Sequence, residues 1–180
     1  MHGIIFSQLK TFVIEGHGDG LWKQICSGAG LPNKLYLATS VYPDDEITRL
    51  VASASQVLGA EVSVILEAFG KALVPGLLSV YGASLKPQWK TLDVLENVET
   101  TIHAVVRRRD PGATPPALES RRNGKREVEI VYRSQRKMCA LARGIVLGIA
   151  DHFKERVSLT EMTCMLRGGP SCRLVVVQTG

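Results

Sequence analysis

The chain has 180 residues, 45% of them hydrophobic and 22% charged, a balance that excludes a disordered polar chain and suits one globular domain with a substantial core. Its formal net charge is +5, but the basic clusters Arg107-Arg108-Arg109, Arg121-Arg122 and Lys125-Arg126 have no interleaved aromatics and no nucleic-acid-binding signature, so they read as a solvated or partner-docking face and no nucleic-acid partner is expected. No apolar run approaches the roughly 18 residues that span a bilayer, and the start Met1-His2-Gly3-Ile4-Ile5-Phe6 lacks the basic region of a signal peptide, so the expected location is the cytoplasm, with no membrane partner.

Ile4, Ile5, Leu9, Phe12 and Val13 recur at helical spacing and predict an amphipathic helix ending before Gly16-His17-Gly18. Leu21, Trp22 and Ile25 begin a second, short one. After Pro43, the acidic run Asp44-Asp45-Glu46 suits the positive end of a helix dipole, and that helix should reach about Gly59. Residues 62–80 are strongly apolar at helical spacing, with Pro75-Gly76 expected to kink or divide them. A further helix spans about 92–107, its apolar arc formed by Val94, Leu95, Val98, Ile102, Val105 and Val106. The Pro-rich stretch 110–116 can be neither helix nor central strand. Residues 117–120 and 127–132 read as a strand pair around Asn123-Gly124, and 136–153 as a buried helix apolar nearly all round. Residues 157–166 and 172–178 read as two final strands joined by Gly168-Gly169-Pro170. The class is therefore α+β, one domain over residues 1–180: a helical part over about 1–85 packed on a mixed part over about 86–180, with helices and a small antiparallel sheet of about four strands.

Tyr132, Ser134 and Arg136 form the pattern Tyr-x-Ser-x-Arg where a strand runs into a helix. Residues two apart in an extended segment point the same way, so two hydroxyls and a guanidinium can converge on one anionic ligand. The same spacing also fits a helix cap at Ser134 with Tyr132 and Arg136 in ordinary surface contacts. Of the four histidines, only His103 sits in a long helix at the border of an apolar arc, upstream of the Pro-rich segment. It fits either a ligand facing a bound group or a core-edge histidine with one hydrogen bond. Gly144 and Gly148 permit close approach along the last helix, to a cofactor or to a neighbouring helix. The four cysteines have irregular spacing and read as thiols or metal ligands rather than disulfides. No Cys/His pairing is visible, so a thiol enzyme is not expected.

An imidazole, apolar helices and a Tyr/Ser/Arg cluster for carboxylates are the requirements of a haem pocket. On those residues, together with the opening Met1 to Phe6, Ala68-Phe69-Gly70, Gly112-Ala113-Thr114-Pro115-Pro116 and Cys164, the chain resembles the haem nitric oxide/oxygen binding (H-NOX) family over essentially its whole length. This is the sensor domain also found in soluble guanylate cyclases. The resemblance implies a non-enzymatic gas sensor with ferrous haem b between the two parts. It makes His103 the axial ligand, Tyr132, Ser134 and Arg136 the propionate clamp, and Pro116 the residue that distorts the porphyrin.

It also places Ile5, Leu9, Val74, Leu78, Leu141 and Ile145 in the distal pocket. Leu141 stands where stable oxygen binders of the family carry a tyrosine, and none of the six can donate a hydrogen bond. Nitric oxide is therefore the expected ligand, carbon monoxide a weaker one, and no stable oxygen complex is expected. Gas binding would weaken the iron bond to His103 and shift its helix. With no kinase or cyclase signature in the chain, the expected output is a separate partner, a histidine kinase or a cyclic-di-GMP enzyme. Cys139, Cys164 and Cys172 match a zinc site of some family members, with Glu161 where those carry the histidine ligand. Cys26 has no matching role. The rival expectation is a haem-free or zinc-thiolate redox switch, or a scaffold, of the same fold.

Overall fold

The computed structural model describes residues 1–179. Its first half is helical: α1 (Gly3–His17), α2 (Asp19–Gly28), α3 (Asp44–Leu58) and α4 (Val62–Tyr81). Asp44, Asp45 and Glu46 fill the first turn of α3, and the helix stops at Gly59, whose φ of 61° is left-handed and resisted by side chains. α1 runs on through Gly16 and His17 and ends only at Gly18, with φ 83°.

Contrary to expectation, α4 is not divided at Pro75. Pro75 offers no N–H to the carbonyl of Lys71, but that carbonyl lies against Gly148 of α7 (Cys139–His152), where an added Cβ would come within 2.8 Å of it. Helix packing holds the turn. With the 3-10 turn Gly82–Ser84, this segment is also long and apolar enough by length and composition to cross a membrane, which corrects the expectation that no run approaches that size. Glu67 and Lys71 interrupt the run without removing its apolar average. In this fold α4 packs on α1, α3 and α7.

The helix expected over 92–107 is α5 (Thr91–Asn97) continued by a π-helical turn (Glu99–His103) and α6 (Ala104–Arg109). In the π turn the His103 N–H donates to the Val98 carbonyl, five residues back, at 3.0 Å. Strands β1 (Ala117–Arg122), β2 (Glu127–Arg133), β3 (Val157–Thr163) and β4 (Cys172–Gln178) form one antiparallel sheet in the order β1-β2-β4-β3. β3 stops short of the expected 166 because its register shifts between Glu161 and Thr163, after which Met165–Arg167 make a 3-10 turn. α7 starts at Cys139 rather than 136 because the chain first turns: Lys137 takes φ 50° and its N–H donates to the Ser134 carbonyl at 3.1 Å. Ser134 therefore caps no helix.

Two cores result. Phe6, Trp22, Ile47, Leu50 and Phe69 centre the helical one, and Val94, Val128, Ile149, Leu174 and Val176 the one between the sheet, α5 and α7. α4 and α7 enter both, through Leu73 and Leu141 on one side and Val74 and Val146 on the other.

Candidate functional site

A largely apolar cavity opens where α1, α4, α5, the π turn, α7 and the sheet meet. His103, Pro116, Tyr132, Ser134 and Arg136 all line it, as do Ile5, Val74, Leu78, Leu141 and Ile145. Leu9 does not. It lies one helical turn beyond Ile5 and is buried in the core of the helical part, so its expected place in the distal pocket is corrected. A helical face read from sequence cannot separate the turn that borders a cavity from the turn that borders a core.

The His103 imidazole is held from one side. Its Nδ1 lies 2.8 Å from Oε2 of Glu99, four residues back across the π turn, and the same Oε2 accepts the Leu118 N–H of β1 at 3.2 Å. Arg107 binds the other oxygen of Glu99. Burial pushes the imidazole below its ordinary value against the pull of Glu99, so the ring is neutral at neutral pH and able to ligate. Burial would raise the Glu99 carboxyl, but its bonds from His103 and Arg107 outweigh that and hold it below the usual range.

The polar rim is built by the end of β2 and the following turn. Tyr132 is buried, paired across β1 with Leu118 and across β4 with Cys172, and burial pushes its phenol up to about 12, so it stays a neutral donor. Ser134 Oγ accepts the Arg136 N–H at 3.3 Å. The Arg136 guanidinium donates to the Thr114 carbonyl at 2.7 Å and to its hydroxyl at 2.6 Å, which ties the Pro-rich segment to the rim. Its Nε lies 2.8 Å from Asp44 of α3, but that N–H is buried without a well-aligned acceptor. A buried guanidinium N–H left in this state beside two hydroxyls fits an anionic group such as a haem propionate.

Met1, His2 and Tyr81 also line the cavity and were not foreseen as part of it. Tyr81 had a signal in its spacing, since positions 74, 77, 78 and 81 share one face of α4. It packs with Ile4, Val106 and Ala113. His2 pairs with Asp110 at 2.5 Å, just past α6, and Met1 donates through its amino group to Asp44 at 2.5 Å.

The model of the family described as haem-NO-binding matches residues 2–161. The chain belongs to this family. Among solved structures, an S. oneidensis H-NOX protein in the Fe(II)NO ligation state superposes with a TM-score of 0.93 at 24% identity, covering 100% of both chains. A T. tengcongensis H-NOX mutant gives 0.86 at 22% identity, covering 100% of this chain and 98% of that one. At such identities the likeness establishes the α+β fold. Soluble guanylate cyclase 89Da of Drosophila melanogaster is 20% identical over 138 residues, 76% of this chain, and the match spans only 20% of that relative's own length.

Of the donor set expected for zinc, three cysteines come together. Cys139, Cys164 and Cys172 are buried with their sulfurs within 4.8 Å of one another, Cys172 at 2.9 Å from Cys139 and 3.9 Å from Cys164. Glu161 does not join them as a fourth donor. One oxygen of its carboxylate, Oε2, pairs with Arg167 at 2.8 Å and Arg143 at 3.5 Å, and the other, Oε1, is buried without a partner. Burial raises the thiols of Cys139 and Cys172 above their ordinary value. Cys26 is buried in the helical core, apart from this trio.

Proposed function

We propose that the protein is a haem-based sensor of nitric oxide that passes a conformational signal to a separate protein. The observation that carries this is the convergence on one apolar cavity of a neutral, anchored imidazole and a rim whose buried Arg136 Nε–H lacks an aligned acceptor. His103 would ligate through Nε2, since Nδ1 is committed to Glu99. Tyr132, Ser134 and Arg136 would hold the propionates, and Pro116 would press on the macrocycle. When bound, ferrous haem b supplies an iron with one position open to a diatomic gas.

The chain's own residues set the choice of gas. Ile5, Val74, Leu78, Leu141 and Ile145 give the cavity a wall without a hydrogen-bond donor. Oxygen depends on such a donor for a stable complex, whereas nitric oxide does not. Nitric oxide is therefore favoured, with carbon monoxide weaker. His103 stands on the π turn that continues into α6, and α6 leads into the segment tied to Arg136 through Thr114. Movement at His103 thus has a covalent path to the surface. The receiving protein would be a histidine kinase or a cyclic-di-GMP enzyme, in the cytoplasm.

Absorption spectra of the reduced, haem-supplied protein with and without nitric oxide test this reading. A Soret band that shifts with nitric oxide and gives no stable oxygen complex is expected; no Soret band would sink it. His103→Gly should still admit gas yet lose the spectrum of a protein-ligated iron, and unchanged ligation spectra would remove His103 from its role.

A further inference from the structure

Glu99 was not singled out from sequence, yet three groups converge on its carboxylate. Oε2 faces His103 Nδ1 at 2.8 Å and takes the Leu118 N–H at 3.2 Å, while Oε1 takes Arg107. Glu99 opens the π turn and His103 closes it, four residues apart, a spacing that brings side chains together on one helix face. Leu118 and Arg107 fix the carboxylate from β1 and α6, leaving His103 no freedom to present Nδ1 elsewhere.

We propose that Glu99 is the positioning residue for His103: it accepts the Nδ1–H, leaves the Nε2 lone pair facing the cavity, and lends the ring anionic character that strengthens its bond to a metal. This rests on the reading of His103 as the haem ligand. A backbone carbonyl in the same place would fix the tautomer but would add no full charge, so the carboxylate sets bond strength as well as direction. Arg107 competes for that charge. Glu99 and Arg107 therefore pull the His103 bond in opposite senses.

Resonance Raman of the ferrous, unliganded haem protein reads this through the iron–histidine stretching band. Glu99→Gln keeps size and an acceptor but removes the charge, and should shift the band to lower frequency and weaken haem retention roughly tenfold. Arg107→Ala, at a half-exposed position, should fold normally and shift the band to higher frequency. In the haem-free full chain, nitrogen-15 NMR should show the His103 proton on Nδ1, a preference that Glu99→Gln, which keeps an acceptor, should retain while the Raman band moves. A band present in the wild type and unmoved in both variants overturns the role of Glu99 while leaving His103 as ligand. No such band in the wild type overturns the haem-ligand reading itself, and this inference with it.

Discussion

Arg136 does two jobs with one guanidinium, holding the Pro-rich segment through Thr114 and lining the polar rim of the cavity, with its Nε 2.8 Å from Asp44. Hydrogen bonds to a charged partner are worth about 1.5–3 kcal/mol each, so Arg136→Ala should speed haem loss by at least roughly tenfold. Transfer of haem to apomyoglobin measures that rate, and circular dichroism checks that the fold survives. Wild-type retention in the variant would mean that Tyr132 and Ser134 hold the group alone. That Tyr132, Ser134, Arg136 and His103 would share one cavity was legible through the family resemblance, because their spacing alone fitted a cap and surface contacts equally well. The strand ends at Arg133, and the three residues meet through a turn, not along the extended segment expected. Glu99 was legible in principle, since it stands four residues before His103, but that spacing is common on helices and does not by itself mark a ligand's partner. Glu161 was misjudged because pairing to Arg143 and Arg167 depends on chain segments distant in sequence or on a local turn.

At the scale of elements, the α4–α7 contact sets the shape of the cavity wall. A Cβ on Gly144 would sit 2.1 Å from the Glu67 carbonyl, and one on Gly70 2.5 Å from the Leu141 carbonyl, so backbone meets backbone on both sides. The equal choice between cofactor and helix contact at Gly144 and Gly148 thus resolves toward the helix. Gly144→Ala should cost about 1–3 kcal/mol by overpacking and should displace Leu141 and Ile145, which line the cavity from the same helix. Urea unfolding gives the first effect and the Soret position of the nitrosyl form the second; unchanged stability would show that the helices part freely. Burial alone would raise the Glu46 carboxyl, but hydrogen bonds from Lys34 at 2.9 Å and Tyr36 at 2.8 Å outweigh it and hold it below its ordinary 4.5. A depressed folded value adds stability above the unfolded one, so that contribution is complete above about 4.5 and is lost as pH falls through the folded value. Glu46→Gln should be less stable by about 1–3 kcal/mol at neutral pH, and its thermal midpoint should fall less steeply below pH 4.5. Parallel acid slopes in the two proteins would exclude Glu46 as a source of acid sensitivity.

The whole molecule explains why α4 has the composition of a membrane span. Serving two cores at once, it must be apolar on more than one face, and Leu73 and Val74, adjacent in sequence, enter different cores. The division into parts near residue 85 was legible from the change of period, but the bridge between them was not, since periodicity does not say which neighbour each face meets. Because α4 and α7 belong to both cores, residues 1–85 and 86–180 should unfold as one cooperative unit. The two tryptophans report on the two parts separately: Trp22 is fully buried in the helical core and Trp89 packs against the core of the sheet. Trp22→Phe leaves Trp89 as the only reporter, and Trp89→Phe leaves Trp22. Trp22→Phe should be the less stable of the two, because it also loses the 2.9 Å indole bond to Asn33. Within each variant, however, the fluorescence and far-ultraviolet circular dichroism curves in urea should coincide, since stability differs between the variants but the unit that unfolds does not. Fluorescence of Trp22 lost at lower urea than the ellipticity would instead make the helical part a separate unit, and the relay from cavity to surface would then have to cross a flexible joint.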